Sequence, residues 1–225
     1  MTLDFTAILS RWQMLADGLV LTIQFAAITT LTGFLIGTFC AIARRSDVVF
    51  LKRIAAFYVE AIRNTPFLVQ IFVVYFGLSS LGFSFSAVTV AIIALTINVG
   101  AYTAEIMRAG FDSIHRGQWE AGECLGLSRA QNYWHVALRP AMERMYPSLT
   151  SQFILLMLAS SVTSQISAEE LTAAANFIQS ETYRPFETYI VIAFIYLALS
   201  LMMRLMFWAF GLLVFPRLRR LGTSL

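Results

Sequence analysis

Long uncharged apolar runs alternate with short polar stretches along this chain. A helix crosses the roughly 30 Å hydrocarbon layer with about 20 apolar residues at about 1.5 Å each. On that measure the runs predict five spanning helices, at 18–43, 57–83, 86–104, 146–166 and 188–215. The second run differs from the others: its first third holds Glu60, Arg63 and Asn64, and its cleanly apolar stretch begins only at Pro66. Between the third and fourth runs lies a polar region too long for a simple connection. Its segments 118–125 and 128–138 both read as helical, with Gly126 between them as a left-handed C-cap. Ser128 then caps the second segment and Pro140 ends it. A polar hairpin, 167–187, joins the fourth run to the fifth. With no internal repeat, low-complexity tract or linker, residues 1–225 read as a single all-α polytopic membrane domain.

Composition sharpens this. The chain is 58% apolar and 13% charged, against about 45–50% and about 25% for ordinary globular domains. That excludes disorder, which needs low hydrophobicity, and a water-soluble enzyme, whose single core could not hide so much apolar surface. Charge then fixes orientation. Arg44, Arg45, Lys52 and Arg53 fall in the first loop, Arg108, Arg116, Arg129, Arg139 and Arg144 in the long loop, and Arg217, Arg219 and Arg220 in the tail, all on one side. The other side carries Arg11 and Arg184 among Asp4, Asp17, Glu169, Glu170, Glu181 and Glu187. The positive-inside rule therefore puts the N-terminus outside and the tail in the cytoplasm, and the basic balance marks topology rather than nucleic-acid binding. No basic stretch ahead of an apolar core marks a cleavable signal, since Asp4 and Asp17 flank Arg11.

Several chemistries drop out. No Gly-rich loop precedes Lys52, the one lysine, so no phosphate-binding loop for ATP is in place. Cys40 and Cys124 lack metal or disulfide spacing. His115 and His135 both lie in the long loop, so no Ser–His or Cys–His pair falls inside the spans to support intramembrane hydrolysis.

The long loop is the informative part. Its first helix is short and is expected to expose Trp119, Ala121, Cys124 and Leu125 among charges. From the residues alone, such a helix either docks into a partner's groove or lies on the membrane surface. The string Glu120-Ala121-Gly122, three residues, Gly126, nine residues, Val136-Ala137-Leu138 resembles the EAA loop of ABC importer membrane subunits. Ala104-Glu105-Ile106, Arg108-Ala109-Gly110, Ser113-Ile114, Arg116-Gly117-Gln118, Arg63-Asn64-Thr65-Pro66 with Val69-Gln70, and Arg184-Pro185-Phe186-Glu187 are similar to the polar amino acid permeases of that superfamily. The resemblance runs over about residues 15–215.

It implies a type I importer fold in the bacterial cytoplasmic membrane, with about 112–140 as the coupling loop. Two such subunits, identical or related, would pair above a cytoplasmic ATPase dimer. That dimer would bind ATP and magnesium, while this chain would hold no metal or cofactor. An external solute-binding protein would deliver a polar amino acid. Trp119, Glu120, Ala121, Gly122 and Gly126 would dock to the ATPase, whose closure would drive alternating access. Two departures stand out. Gly122 replaces an alanine, at a helix cost of up to about 1 kcal/mol, and Arg139 takes the place of a proline that here follows one position later as Pro140.

Polar residues within the spans supply further candidates. A charge at mid-bilayer costs about 2.5–3.5 kcal/mol, so each needs a reason. Glu60 and Arg63, and again Glu105 and Arg108, are three apart and are expected to pair on one helix face, as neutralised interface pairs or as part of a gate. Arg204 lies deeper, where it would snorkel or meet a partner subunit. Asn98 and Tyr102 share a face of the third span, and Gln152, Ser160, Ser161, Thr163, Ser164 and Gln165 punctuate the fourth. Such groups tie helices together or line a polar cavity, since a dehydrated amino acid needs hydrogen-bond partners. The resemblance makes Asn98, Tyr102, Ser160, Ser161, Thr163 and Gln165 the candidate substrate path. Many relatives carry an acidic residue before Thr-Ser-Leu in this span, whereas here the residues are Ala159-Ser160-Ser161-Val162. Loss of that carboxylate weakens the case for a cationic substrate. The rival classes are a passive channel or secondary transporter, which needs no docking loop, and a membrane enzyme, which needs a reactive constellation.

Overall fold

A computed structural model describes residues 3–215; the predicted tail cluster of Arg217, Arg219 and Arg220 lies outside the described residues. Everything described is helix, turn or irregular connection. Four long apolar helical runs are present, and a bent helix pair supplies a fifth.

After a short α1 (Thr6–Leu9), the chain enters α2 (Trp12–Arg45), which packs along most of its length on α5 (Ala87–Asp112). Small residues make this contact. A Cβ at Gly33 would fall 2.0 Å from Val99 Cγ1, and one at Gly37 would fall 2.6 Å from Thr103. Midway, the hydroxyls of Thr32 and Thr96 are 2.8 Å apart. Lipid tails are as apolar as leucine, so spans associate by close packing and hydrogen bonding, and small residues permit both. α5 is the most enclosed of the spans and α10 the least. Its Leu95 and Val99 meet Phe25 of α2 and Phe153 of α8 in the main core.

The predicted span 57–83 is two helices. α3 (Val49–Arg63) and α4 (Phe67–Ser80) meet at 114°. Pro66 cannot donate to the ladder and holds the residue before it out of the helical region. α4 alone rises only about 21 Å, short of the hydrocarbon layer. Gln70 secures the elbow: its Nε2 donates to the Ile62 carbonyl at 2.7 Å and the Thr65 carbonyl at 2.9 Å.

The long loop holds α6 (Arg116–Cys124) and α7 (Arg129–Gln131), the latter opened by a capping box between Ser128 and Gln131. Pro140 does not end the second segment. A π-helical turn, Asn132–Ala137, carries the chain from α7 into α8 (Leu138–Ala159), so Pro140 sits in the first turn of a span. The wider π turn leaves room for the ring, and near a helix start the missing N–H is cheap. The span then tightens into a 3₁₀ stretch, Ser160–Ile166.

The predicted polar hairpin 167–187 contains a twelve-residue helix, α9 (Leu171–Thr182), packed against α2 and against α10 (Pro185–Val214). Leu171, Ala174, Ala175 and Ile178 form its buried stripe, a helical period visible in sequence but overshadowed there by the flanking charges. Glu170, read from sequence as one of several outward acids, is fully buried. Its Oε1 caps α9 by accepting from Thr172 and Ala173 N–H, and its Oε2 accepts from the Tyr196 hydroxyl at 2.7 Å. Burial pushes this carboxyl above its ordinary pKa, with the cap and Tyr196 opposing that shift. The folded chain therefore holds the Glu170 proton more tightly than the unfolded chain, and stability falls as pH rises past the ordinary carboxylate value. A Glu170→Gln variant should melt with a weaker pH dependence than the parent over that range. Identical slopes would count against a buried carboxyl.

Candidate functional site

α6 stands at the end of the bundle opposite α9. His115 opens it, with Nδ1 accepting the Gly117 N–H at 3.1 Å. Gly126 closes it at φ +77°, a left-handed value natural to glycine. Its N–H donates to the Glu123 carbonyl at 2.9 Å, and the Leu127 N–H donates to Gly122 at 3.1 Å. That leaves a rigid nine-residue rod with Glu120, Ala121, Glu123, Cys124 and Leu125 exposed. Leu125 is 80% exposed, an apolar tip that water alone would not favour.

Trp119 is not on the outward tip as expected. It is half-buried, its ring set edge-on to Tyr133 with centroids 4.8 Å apart. The reason lies behind the helix, in the π turn. Asn132 is buried there, and its Nδ2 donates to the Trp119 carbonyl at 2.8 Å. A Cβ on Gly122 would fall 2.2 Å from Asn132 Oδ1. The glycine that departs from the EAA pattern is thus the residue that lets Asn132 reach under α6. Asn132 itself carried no signal in the sequence, because its partner is a main-chain carbonyl thirteen residues away.

From this clasp a line of rings leads into the spans. Tyr133 also meets Phe111, centroids 5.8 Å apart, and the Arg45 guanidinium lies over both rings at 5.6 and 5.4 Å. Arg45 closes the line with an ion pair to Asp112 at 3.4 Å. α6 is therefore joined through Trp119 and Tyr133 to the ends of α2 and α5.

Beside this line Glu105 gathers three arginines from three helices. Arg44 of α2 reaches it at 2.7 Å, Arg108 of α5 at 2.5 Å and Arg63 of α3 at 3.6 Å. The expected Glu105–Arg108 pair is present. The expected Glu60–Arg63 pair is not. Arg63 turns to Glu105 and lies over the Tyr102 ring at 5.9 Å, while Glu60 stays exposed and accepts from Asn64 at 3.2 Å. Several hydrogen-bonded charges and an aromatic face on α5 outweigh a local pair exposed to water.

The candidate path residues separate into groups. Asn98 is buried and donates to Gln70 Oε1 at 2.8 Å, which locks the α3–α4 elbow to α5. Tyr102 lies beneath Arg63. The hydroxyls of Ser160, Ser161 and Thr163 each donate to the carbonyl three residues back, at 2.6–2.7 Å, within the 3₁₀ stretch that packs on α4 and α5. Gln165 is exposed. Asn98, Gln70 and the 3₁₀ hydroxyls thus lie on three elements that pack on one another, each retaining an acceptor lone pair. Among the described residues no group of three His, Cys, Asp or Glu side chains could hold a metal.

Comparison with known proteins adds an independent line. Residues 33–215 match the family described as binding-protein-dependent transport system inner membrane component. The chain is similar to a probable amino-acid ABC transporter permease of Bacillus subtilis, at 35% identity over 81% of this chain and 80% of that one. It is similar to the octopine transport system permease OccM of Rhizobium radiobacter, at 33% identity over 95% and 93%. A crystal structure of an amino acid ABC transporter with histidines superimposes with a TM-score of 0.88 at 36% identity, covering 94% of this chain and 99% of that chain. The methionine ABC transporter MetNI in inward-facing form shares the fold, with a TM-score of 0.75 at 19% identity over 91% and 98%.

Proposed function

The chain belongs to the family of binding-protein-dependent transport system inner membrane components, and from that premise we propose that it translocates a polar, uncharged or acidic amino acid as one half of the pathway of an ATP-driven importer. It is the membrane-embedded permease, and ATP hydrolysis falls to a separate subunit. The observation that carries the docking assignment is α6. It is a rod capped at both ends, clasped by Asn132 from behind, and left with Glu120, Ala121 and Leu125 facing outward.

In this mechanism α6 seats in a cleft of an ATPase that binds ATP and magnesium. Closure of the ATPase dimer moves α6, and the motion enters the bundle through Trp119, Tyr133, Phe111 and Arg45. Glu105 with its arginines holds α2, α3 and α5 together at that end, so they move as one body. A second permease, identical or related, completes the pathway, and an external binding protein loads it at the α9 end. Asn98, Tyr102, Ser160, Ser161, Thr163 and Gln165 remain the candidate substrate contacts.

Two outcomes test this. Reversing the charge with Glu120→Lys should lower ATP-driven uptake at least about tenfold, the effect of losing more than about 1.4 kcal/mol of docking, while leaving membrane insertion intact. Uptake at the parental rate would remove α6 from the mechanism. For the substrate, arginine and lysine should compete poorly against neutral and acidic amino acids, because span four has Ala159 where a carboxylate would stand. Strong competition by arginine would overturn that part.

Orientation follows from the basic residues, with α6 in the cytoplasm. The native Cys124 is exposed on α6. With the ATPase stripped from the membrane, a membrane-impermeant maleimide should label it in inside-out vesicles and not in intact cells, and the reverse pattern would invert the topology.

A further inference from the structure

Arg204 is a span charge that neither the docking loop nor the Glu105 cluster uses. It lies two-thirds of the way along α10, exposed, and among the described residues it makes no ion pair or hydrogen bond. It borders a crevice of about 490 Å³ between α8 and α10. Toward mid-membrane the crevice is walled by Ile154, Leu155 and Leu197; at its other end stand Tyr146 and Trp208. The Ser151 hydroxyl, also on the crevice, has no hydrogen bond among the described residues.

Depth decides what this arrangement meets. Arg184 and Glu187 pair at 3.3 Å just ahead of Thr188 and mark the α9-side boundary of the span. From Thr188 to Arg204 the helix rises about 24 Å, and to Trp208 about 30 Å. Set against a hydrocarbon layer of roughly 30 Å, Trp208 falls at the far interface, the level of an aromatic belt. Arg204 falls about 6 Å inside, close enough for its guanidinium to rise to the headgroups. A cation that reaches the headgroups and an indole at their level therefore stand above an apolar slot that also carries the Ser151 hydroxyl, and a phospholipid, an anionic phosphate above apolar chains, has the complementary order of groups. α10 is also the least enclosed span, with Leu201, Leu205 and Trp208 exposed beside the crevice.

We propose that the α8–α10 crevice binds one anionic phospholipid of the α6-side leaflet, its phosphate on Arg204 and an acyl chain along Ile154, Leu155 and Leu197. Naming that leaflet cytoplasmic rests on the orientation proposed above. The lipid test does not depend on it, so failure of one is distinguishable from failure of the other.

The test is native mass spectrometry of the assembled importer released from bilayers of mixed phosphatidylglycerol and phosphatidylethanolamine. The parent should retain phosphatidylglycerol preferentially, one per copy of this chain. Arg204→Gln should lower that retention about fivefold, the worth of one basic residue at an anionic surface, and Arg204→Lys should largely keep it. Removing an intramembrane charge favours insertion, so the glutamine variant is expected to fold. Ser151→Phe, which fills the slot and leaves the charge, should also lose the lipid. Equal retention by parent and Arg204→Gln would overturn the site. So would displacement of the lipid by inorganic phosphate with no acyl mass retained, which would make the ligand a free anion. Weakened permease pairing in Arg204→Gln with lipid retention unchanged would overturn it as well, and would assign Arg204 to a carboxylate of the second permease.

Discussion

Replacing Gly33 with leucine is expected to destroy the permease as a folded unit. A Cβ there already falls 2.0 Å from Val99 Cγ1 and 3.3 Å from the Gly100 nitrogen. The first obstacle is a buried, branched side chain with few rotamers, and the second is main chain, so neither can move far. Overpacking a core costs about 1–3 kcal/mol and more where the backbone must shift. Here it would separate α2 from α5 along the contact that Thr32–Thr96 and Gly37 also need. The expected result is a several-fold loss of monodisperse protein in detergent and no uptake. Gly77→Leu is the control, since a Cβ at Gly77 meets nothing within 4 Å. Equal yields for the two variants would refute the tight α2–α5 seam.

Removing the carboxylate of Glu105 is expected to cost nearly as much, for a different reason. Its side chain is 19% exposed and faces guanidinium groups from three helices. Breaking a fully buried charge pair costs about 3–5 kcal/mol. Partial exposure lowers this, so about 2–3 kcal/mol is expected for Glu105→Ala. The loss leaves Arg44, Arg63 and Arg108 repelling one another, with Asp112 paired to Arg108 at 2.6 Å. α3 should then be held to α5 less tightly at this end, because Arg63 loses its acidic partner while the Tyr58 hydroxyl still donates to the Ile97 carbonyl at 2.6 Å. Melting of the detergent-solubilised complex should fall by several degrees. Glu105→Gln should fall almost as far, since an amide keeps hydrogen bonds but not charge. A full-stability glutamine variant would show that hydrogen bonding, not charge, holds this end.

Much of this was legible in sequence because the bilayer imposes a length. Four of five predicted runs correspond to continuous apolar helices, and the fifth was already marked by Glu60, Arg63 and Pro66 as unlike the rest. The 114° bend itself was not legible, because a proline announces a break but not its angle. α9 was hidden by composition: Glu169, Glu170, Glu181 and Glu187 suggested an exposed hairpin, and only the Leu171–Ala174–Ala175–Ile178 period argued otherwise. The break between α6 and α7 was visible through Gly126 and Ser128, whose backbone roles are local. Asn132 was invisible because its work is tertiary. Arg63 shows the same limit. A three-residue spacing offered Glu60 as its partner, and the fold supplied a better one on another helix.

The most direct test of docking by α6 is gentle-detergent purification of this chain from its native membrane, with bound proteins identified and counted. An ATPase subunit should accompany each permease copy, and crosslinking through the exposed Cys124 should reach that ATPase. Recovery of the permease with no ATPase, together with no crosslink from Cys124, would contradict docking and leave a channel or secondary transporter in its place.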